Sequence, residues 1–465
     1  MKNKAFFFLP LILVVLTGLL FLSKLGDTPL KSWDEAWYAE ISRNIVKDNQ
    51  WFLLKWNGLP YFDHPPLGFW LTSLSFKLFG VSEMSARLPS ALAGIGSVLL
   101  SYLIGKKLFN RAVGFAAGLS LSVFPWFWLR AREGNLDIVL TFNMLLALFF
   151  MLKAKESRLF LIGAGTAFAL ALLTKTVIGV GLIPVLFFLY FGCPKKEIKD
   201  IFFFFVPFFA IFLPWYVVNY LAYGLLFINR NIFVIGLRLP GMKSLGNLTS
   251  SKGFYLKNTL WELHMGVLLW YKPFLVSLLG SLLFIKQKSF QLLWLWFFVY
   301  FLVFATSPKA ELWHLIILYP TLSLFIPAFI YKIGAKFDKR LAVFLMLAFC
   351  VWNSGRIVKG LFHDLVKSQS FSDEVSLSRK AGEYEGTIYL EDDYWPAAVF
   401  YSGKKVYSLP HSTDTTIKTS AQAFEKSDRP FLLLTKQWLL DRENISPKDY
   451  QVIKKEGERI LVLVK

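Results

Sequence analysis

Apolar residues fall in long runs separated by short polar links. Runs long enough, or nearly so, to cross about 30 Å of hydrocarbon occupy residues 5–23, 88–105, 112–129, 138–152, 159–174, 176–192, 201–222, 265–285, 289–307, 312–331 and 341–358. They predict eleven membrane spans, and the short or proline-bearing runs leave room for one or two further helices. The first run follows Lys2 and Lys4, as a signal peptide would, but lacks a small-residue cleavage site and reads as a retained anchor. Residues 24–87 interrupt the apolar pattern, and beyond about residue 361 it changes altogether. There Thr387–Glu391, Ala397–Tyr401, Pro430–Thr435, Gln451–Lys454 and Arg459–Lys465 read as strands, and Ser420–Lys426 as a helix. The expected architecture is a polytopic α-helical membrane domain over 1–360, with 24–87 as its outer loop, followed by a small α/β extracytoplasmic domain over 361–465. No internal repeat and no low-complexity segment is visible.

Composition sharpens this. Of 465 residues, 55% are hydrophobic and 18% charged, against about 25% charged in soluble domains; mean hydropathy is +0.50. Disorder, a coiled coil and an ordinary soluble enzyme are excluded. Cys193 and Cys350 lie in or beside separate apolar runs, so a disulfide framework and a CxxC metal site are excluded too. The five histidines form no HExxH. The net charge of +20 is unevenly spread, because residues from Leu361 onward carry 15 Lys/Arg against 16 Asp/Glu. The basic excess sits between the apolar runs. It reads as topology-setting charge beside membrane lipids, with no nucleic-acid partner. With Lys2 and Lys4 in the cytoplasm, Lys106, Lys107 and Arg111, then Lys153, Lys155 and Arg158, all fall on that side. So do Lys195, Lys196 and Lys199, Lys286 and Lys288, and Lys332 to Arg340. The other side receives 24–87, Arg130–Asp137, Lys175, 223–264, Lys309 and the C-terminal region.

The outer loop carries the candidate chemistry. Ser32-Trp33-Asp34-Glu35 fits a capping box. Trp33, Trp37, Ile41 and Ile45 then recur every four residues, predicting an amphipathic helix in the membrane interface. Tyr61-Phe62-Asp63-His64-Pro65-Pro66 forces an extended entry into a second apolar helix, Leu67 to Phe79. Asp34 and Asp63 thus sit at helix entries beside the outer surface. Each residue also has a purely structural reading. Asp34, Glu35 and Asp63-His64 suit caps and turns. Arg132 and Asp137 suit a span end, Lys175 a snorkelling residue, and His264 and His314 interfacial hydrogen-bonding groups.

The order of motifs goes further. Trp33-Asp34-Glu35, Tyr38-Ala39-Glu40-Ile41-Ser42-Arg43, Asn57-Gly58-Leu59-Pro60-Tyr61-Phe62, Pro65-Pro66-Leu67-Gly68-Phe69-Trp70 and Arg87-Leu88-Pro89-Ser90-Ala91-Leu92 follow one another. Together they resemble the polytopic GT-C glycosyltransferases of the protein O-mannosyltransferase and lipid A aminoarabinose transferase type. The similarity continues at Ala131-Arg132 with Asp137, at Leu173-Thr174-Lys175, and more loosely around His264 and Lys309. Asp63-His64-Pro65-Pro66 stands where aminoarabinose transferases usually have Glu-Lys-Pro-Pro, and Trp37 stands where they usually have Arg. This form is closer to other bacterial members.

The resemblance implies transfer of a sugar from a polyprenyl-phosphate carrier to a lipid, glycan or protein acceptor on the non-cytoplasmic side, usually with inversion. It implies Asp34 as the catalytic carboxylate, with Asp63 and Asp137 as further catalytic residues lining the same cavity. It implies Glu35, Trp37 and Tyr61 as substrate contacts, and His64, Arg132, Lys175 and Lys309 as holders of the carrier phosphate. The residue types agree with that chemistry. Phosphate leaves as a stable anion, so one ionised carboxylate and several cations suffice. A divalent cation on Asp63, His64 or His264 is compatible with their ligand types and is not required by them. Two other readings are a secondary transporter and a non-catalytic scaffold for the C-terminal domain. The first calls for ionisable residues near the midplane and for repeated halves. The second gives no reason for Asp34, Asp63 and Asp137 to share one face.

Overall fold

The computed structural model describes residues 8–192, 197–231, 252–305, 312–366, 373–411 and 416–465. The chain forms two compact units. One comprises Met1–Leu25, Phe62–Gly68 and Arg87–Lys367, and the other Gly26–Tyr61, Phe69–Ala86 and Ser368–Lys465. Most of the outer loop therefore folds with the C-terminal residues rather than with the apolar helices beside it in sequence.

The first unit is helical, and each predicted span corresponds to helix. Among the described residues, seven helical stretches are long and apolar enough to cross a membrane: Glu83–Leu108, Leu136–Lys153, Lys199–Tyr223, Thr259–Phe284, Lys288–Ala305, His314–Gly334 and Lys339–Leu361. Arg111–Ser122 and Pro125–Ala131 form a further pair, bent by 70°. The bend has a local cause. Phe124 is extended at φ −62°, ψ 122°, as a residue before proline prefers, and Pro125 opens the next helix. Leu9–Leu22, Leu159–Leu172 and Thr176–Phe191 are shorter, so among the described residues fewer stretches reach full length than the eleven runs predicted. The 14 residues of Leu159–Leu172 rise only about 21 Å. That helix packs against Leu136–Lys153 and Lys199–Tyr223. A Cβ on Gly165 would lie 2.0 Å from the Phe204 carbonyl oxygen, so the backbones meet there only because this residue is glycine.

The predicted cytoplasmic links are joined to one another. Lys107 and Lys153 both pair with Glu156, and Arg158 pairs with Glu197 and Asp200. Ser289 Oγ donates to the Leu108 carbonyl at 3.3 Å, and Lys336 Nζ lies 5.2 Å from the Phe284 ring.

The second unit combines helix Asp34–Asp48, the hairpin of β1 (Lys55–Trp56) and β2 (Leu59–Pro60), and the C-terminal α/β fold. Asn57 and Gly58, at φ +48° and +84°, turn the hairpin. The C-terminal strands are β3 (Thr387–Leu390), β4 (Val406–Ser408), β5 (Phe431–Lys436), β6 (Gln451–Glu456) and β7 (Arg459–Val464). Their order is β4-β3-β5-β7-β6. The first three are parallel, β7 and β6 antiparallel, with Tyr389 opposite Leu433 and Leu433 opposite Val462. Phe431, Leu433, Ile460 and Val462 fill one core beneath this sheet.

Two local expectations are corrected here. Ala397–Tyr401 is not a strand but part of helix Trp395–Ser402. Pro396 in its first turn and Gly403 after its end, at φ +69°, are helix punctuation that outweighs the apolar run. The isoleucines of the stripe on helix Asp34–Asp48 do not face lipid, because Ile41 and Ile45 are buried by protein, whereas Trp33 is exposed. Helix Trp395–Ser402 packs against this helix, and Arg43 Nη1 donates to the Phe400 carbonyl at 2.7 Å. The helix that does expose an apolar ridge is Leu67–Phe79, through Leu74, Leu78 and Phe79.

Candidate active site

In the helical unit the ionisable groups gather around Asp137, in the first turn of helix Leu136–Lys153. Asn135 caps that helix, its Oδ1 accepting from the backbone N–H of Asp137 and Ile138. Ser90 clamps the cap in turn: its hydroxyl donates to the Asn135 carbonyl at 2.9 Å and accepts the Asn135 N–H at 3.1 Å. This explains the serine of Arg87-Leu88-Pro89-Ser90 as a holder of the Asp137 turn. Lys175 Nζ lies 2.6 Å from Asp137 Oδ1. Arg130 Nη2 lies 3.6 Å from Asp137 Oδ2, and Arg130 Nη1 lies 2.7 Å from Glu133 Oε2. All four side chains are at least nine-tenths buried. His314, also buried, interacts electrostatically with Asp137. Burial of charge is tolerable only with such pairing.

The proline-rich segment docks beside this set. The Leu67 N–H donates to the Leu173 carbonyl at 3.0 Å, two residues before Lys175. A Cβ on Gly68 would lie 2.1 Å from Leu136 Cδ2, next to Asp137. Asp63 Oδ1 accepts from Arg230 Nε at 2.9 Å, and Asn231 Nδ2 donates to the Phe62 carbonyl at 2.6 Å. The Phe62 ring packs on Tyr223 and Phe227. His64 follows Asp63 and is half-buried.

Arg132 has a different commitment. Its Nη1 donates to the carbonyls of Leu20, Phe21 and Ser23 at 3.1, 3.2 and 2.6 Å, closing the end of helix Leu9–Leu22. The guanidinium also lies 5.2 Å from the Trp128 ring. The arginine of this segment that pairs with Asp137 is Arg130, which the motif resemblance passed over. Arg230, Glu133 and His314 likewise join the carboxylates without a motif to mark them. His264 packs against Trp261 and Tyr271. Among the described residues, no three His, Cys, Asp or Glu side chains group as metal ligands. Lys309 lies outside the described residues.

In the second unit, Asp34 is the first residue of helix Asp34–Asp48 and is half-buried. The capping-box expectation is corrected: the N-cap is Trp33, which makes no side-chain cap bond. Instead the buried Glu35 carboxylate reaches back to the Lys31 N–H at 2.9 Å. Ser32 Oγ accepts from the Ala397 N–H at 3.4 Å. Trp33 sits at φ 65°, ψ −116°, a conformation that costs an L-residue energy. Its ring lies 6.2 Å from Trp37 and 5.7 Å from His411, and it remains 41% exposed. Trp37 also meets Tyr61 at 5.9 Å and Trp56 at 5.6 Å. Asp34 thus follows a strained residue whose ring is held by aromatic neighbours.

Residues 63–218 match the dolichyl-phosphate-mannose-protein mannosyltransferase family. An uncharacterised protein of Aquifex aeolicus is 28% identical over 333 residues, covering 68% of this chain and 72% of that one. Undecaprenyl phosphate-alpha-4-amino-4-deoxy-L-arabinose arabinosyl transferase 2 of Pseudomonas fluorescens is 33% identical over 200 residues, 42% of this chain. The chain spans 34% of that relative's length. The crystal structure of ArnT from Cupriavidus metallidurans bound to undecaprenyl phosphate shares the fold across 97% of both chains, with a TM-score of 0.74 and 16% identity. Residues 63–218 thus carry the likeness to the mannosyltransferase family, a stretch of 200 residues carries the likeness to the arabinosyl transferases, and the chain as a whole shares the fold of ArnT.

Proposed function

We propose that the protein transfers a sugar from a polyprenyl-phosphate carrier to a lipid, glycan or protein acceptor at the non-cytoplasmic face of the membrane. The buried set of Arg130, Lys175, Asp137 and Glu133 carries this reading, because it keeps two cations ready inside an apolar bundle. A phosphate that engages Arg130 and Lys175 gains charge-assisted hydrogen bonds, roughly twice as strong as neutral ones. The two carboxylates hold those cations in place until it arrives. In the transfer step the acceptor oxygen attacks the anomeric carbon. The bond from that carbon to the phosphate oxygen breaks, and its electron pair leaves on the phosphate. Asp34, at the first position of its helix, takes the hydroxyl proton. Asp63 is a positioning residue through Arg230, Glu35 fixes the turn before Asp34, and Trp37 and Tyr61 form aromatic substrate contacts. Lys309 and His64 complete the residues assigned to holding the carrier phosphate, the first as a cation and the second as a hydrogen-bond donor.

The orientation belongs to the same proposal. The N-terminus and the basic links lie in the cytoplasm, and residues 24–87 and the C-terminal region lie outside. The mutual contacts among the basic links favour a single side for all of them, and short Lys/Arg-rich links mark the cytoplasmic side. The test is purified protein given undecaprenyl-phosphate sugars and a cell-envelope extract as acceptor source. Release of undecaprenyl phosphate, followed by mass spectrometry, is expected for at least one sugar. Absence of release across hexose and pentose donors would overturn the proposal. Comparing envelope glycans with and without the protein then names the acceptor.

A further inference from the structure

A cavity of about 250 Å³ opens in the second unit, away from Asp34 along the same helix. Three chain segments wall it: the C-terminal half of helix Asp34–Asp48, the β1–β2 hairpin, and residues 403–405 after helix Trp395–Ser402. Each wall brings lysine. Lys47 comes from the helix, Lys55 from the hairpin, and Lys404 and Lys405 from the third segment. The walls are locked together. Asn57 Nδ2 donates to the Val406 carbonyl at 2.9 Å, and Asn57 Oδ1 accepts the Val406 N–H at 3.1 Å.

Lysine near a helix C-terminus is ordinary, because the carbonyl ends attract cations. That accounts for Lys47 alone. It does not bring Lys404 and Lys405 to the same space from some 350 residues away in the sequence. Nor are these side chains simply extended into water. Lys404 Nζ donates to the Tyr384 carbonyl, Lys405 Nζ lies 4.5 Å over the Tyr407 ring, and Lys55 Nζ lies 3.1 Å from Asp48. Glu40, also in the wall, pairs with Arg43. The lining therefore holds four lysines with two carboxylates, of which Asp48 is paired with Lys55 and Glu40 with Arg43. We infer that this cavity is a preformed binding site for a phosphate-type anion, borne on a lipid headgroup or on a free phosphoryl compound. Its volume suits a phosphoryl group with a sugar-sized neighbour, below the ~300–1,000 Å³ of drug-sized pockets. Positions fixed before binding lower the ordering cost. The inference is independent of the transfer reaction and is tested by binding alone.

The full-length protein in uncharged detergent is titrated calorimetrically with inorganic pyrophosphate, short-chain phosphatidate and short-chain phosphatidylcholine. Saturable binding of one anion per chain is expected, with none for phosphatidylcholine. The double variant Lys47→Gln/Lys405→Gln should weaken it at least about tenfold, the scale of losing charge-assisted hydrogen bonds. Lys455→Gln, an equal loss of charge per site at an exposed position outside the cavity, should change it less than about twofold, as a screened surface charge does. Binding of pyrophosphate alone assigns a free phosphoryl ligand, binding of phosphatidate alone a lipid headgroup, and binding of both the phosphate group itself. Failure of both to saturate, or equal weakening by Lys455→Gln, would overturn the site.

Discussion

Lys175 Nζ lies 2.6 Å from Asp137 Oδ1, with both side chains almost wholly buried in the helical unit. The pair joins the break after helix Leu159–Leu172 to the start of helix Leu136–Lys153. Removing one partner leaves a charge without its counterion in an apolar place, which costs about 3–5 kcal/mol, whereas removing both is far milder. Lys175→Met and Asp137→Leu should each lower the melting temperature in detergent markedly. The double variant should recover most of that loss while failing to transfer sugar. A double variant as unstable as the sum of the singles would show that the pair is not coupled.

Arg130 and Arg132 should separate cleanly. Arg130→Gln removes a cation from Asp137 and should weaken donor use at least about tenfold, the scale of a charge-assisted bond. Arg132→Gln removes three carbonyl contacts at the end of helix Leu9–Leu22. It should lower thermal stability and leave the donor KM within a few-fold of wild type. Steady-state kinetics at saturating acceptor decide between them, and the reverse pattern would contradict the assignment.

That pair also shows what periodicity could and could not reveal. The apolar runs became helices because burial in lipid depends on composition alone. Which arginine of the segment 130–132 reaches Asp137 depends on the 70° bend at Phe124-Pro125 and on the phase of the short helix after it. A run-based reading carries no such phase. Arg230 meets Asp63 across 167 residues of chain, a distance no local pattern spans. Helix Trp395–Ser402 was legible in its proline and glycine, yet its apolar core also matches a short strand. The capping box failed because Glu35 alone reaches back to the Lys31 N–H, while Ser32 serves Ala397.

Glu40 gives a pH signature. Burial pushes its carboxyl above the ordinary value of 4.5, against the opposing pull of Arg43. Between those two values the folded chain holds a proton that the unfolded chain has released. Its contribution to stability is therefore full below about pH 4.5 and declines as pH rises through the raised value. Glu40→Gln keeps the shape without ionising. It should raise the melting temperature at pH 7 and change it little at pH 4, measured by thermal unfolding of the full chain. A lower melting temperature at pH 7 would mean that the Arg43 pair dominates.

Orientation is testable by single cysteines in a variant without Cys193 and Cys350. Ser157→Cys, among the basic links, and Thr416→Cys, exposed in the C-terminal region, should label from opposite sides of intact cells. Labelling of both from outside would contradict the proposed topology.

The central claim rests on Asp34, and Asp34→Asn tests it most directly. The substitution keeps side-chain size at the first position of helix Asp34–Asp48, so a merely structural aspartate there should cost no more than about 1 kcal/mol. A positioned base is worth about 10²–10⁴-fold in rate. The measurement is turnover of a polyprenyl-phosphate sugar by Asp34→Asn protein whose melting temperature matches wild type. The account predicts turnover reduced at least about a hundredfold; turnover within a few-fold of wild type would contradict it.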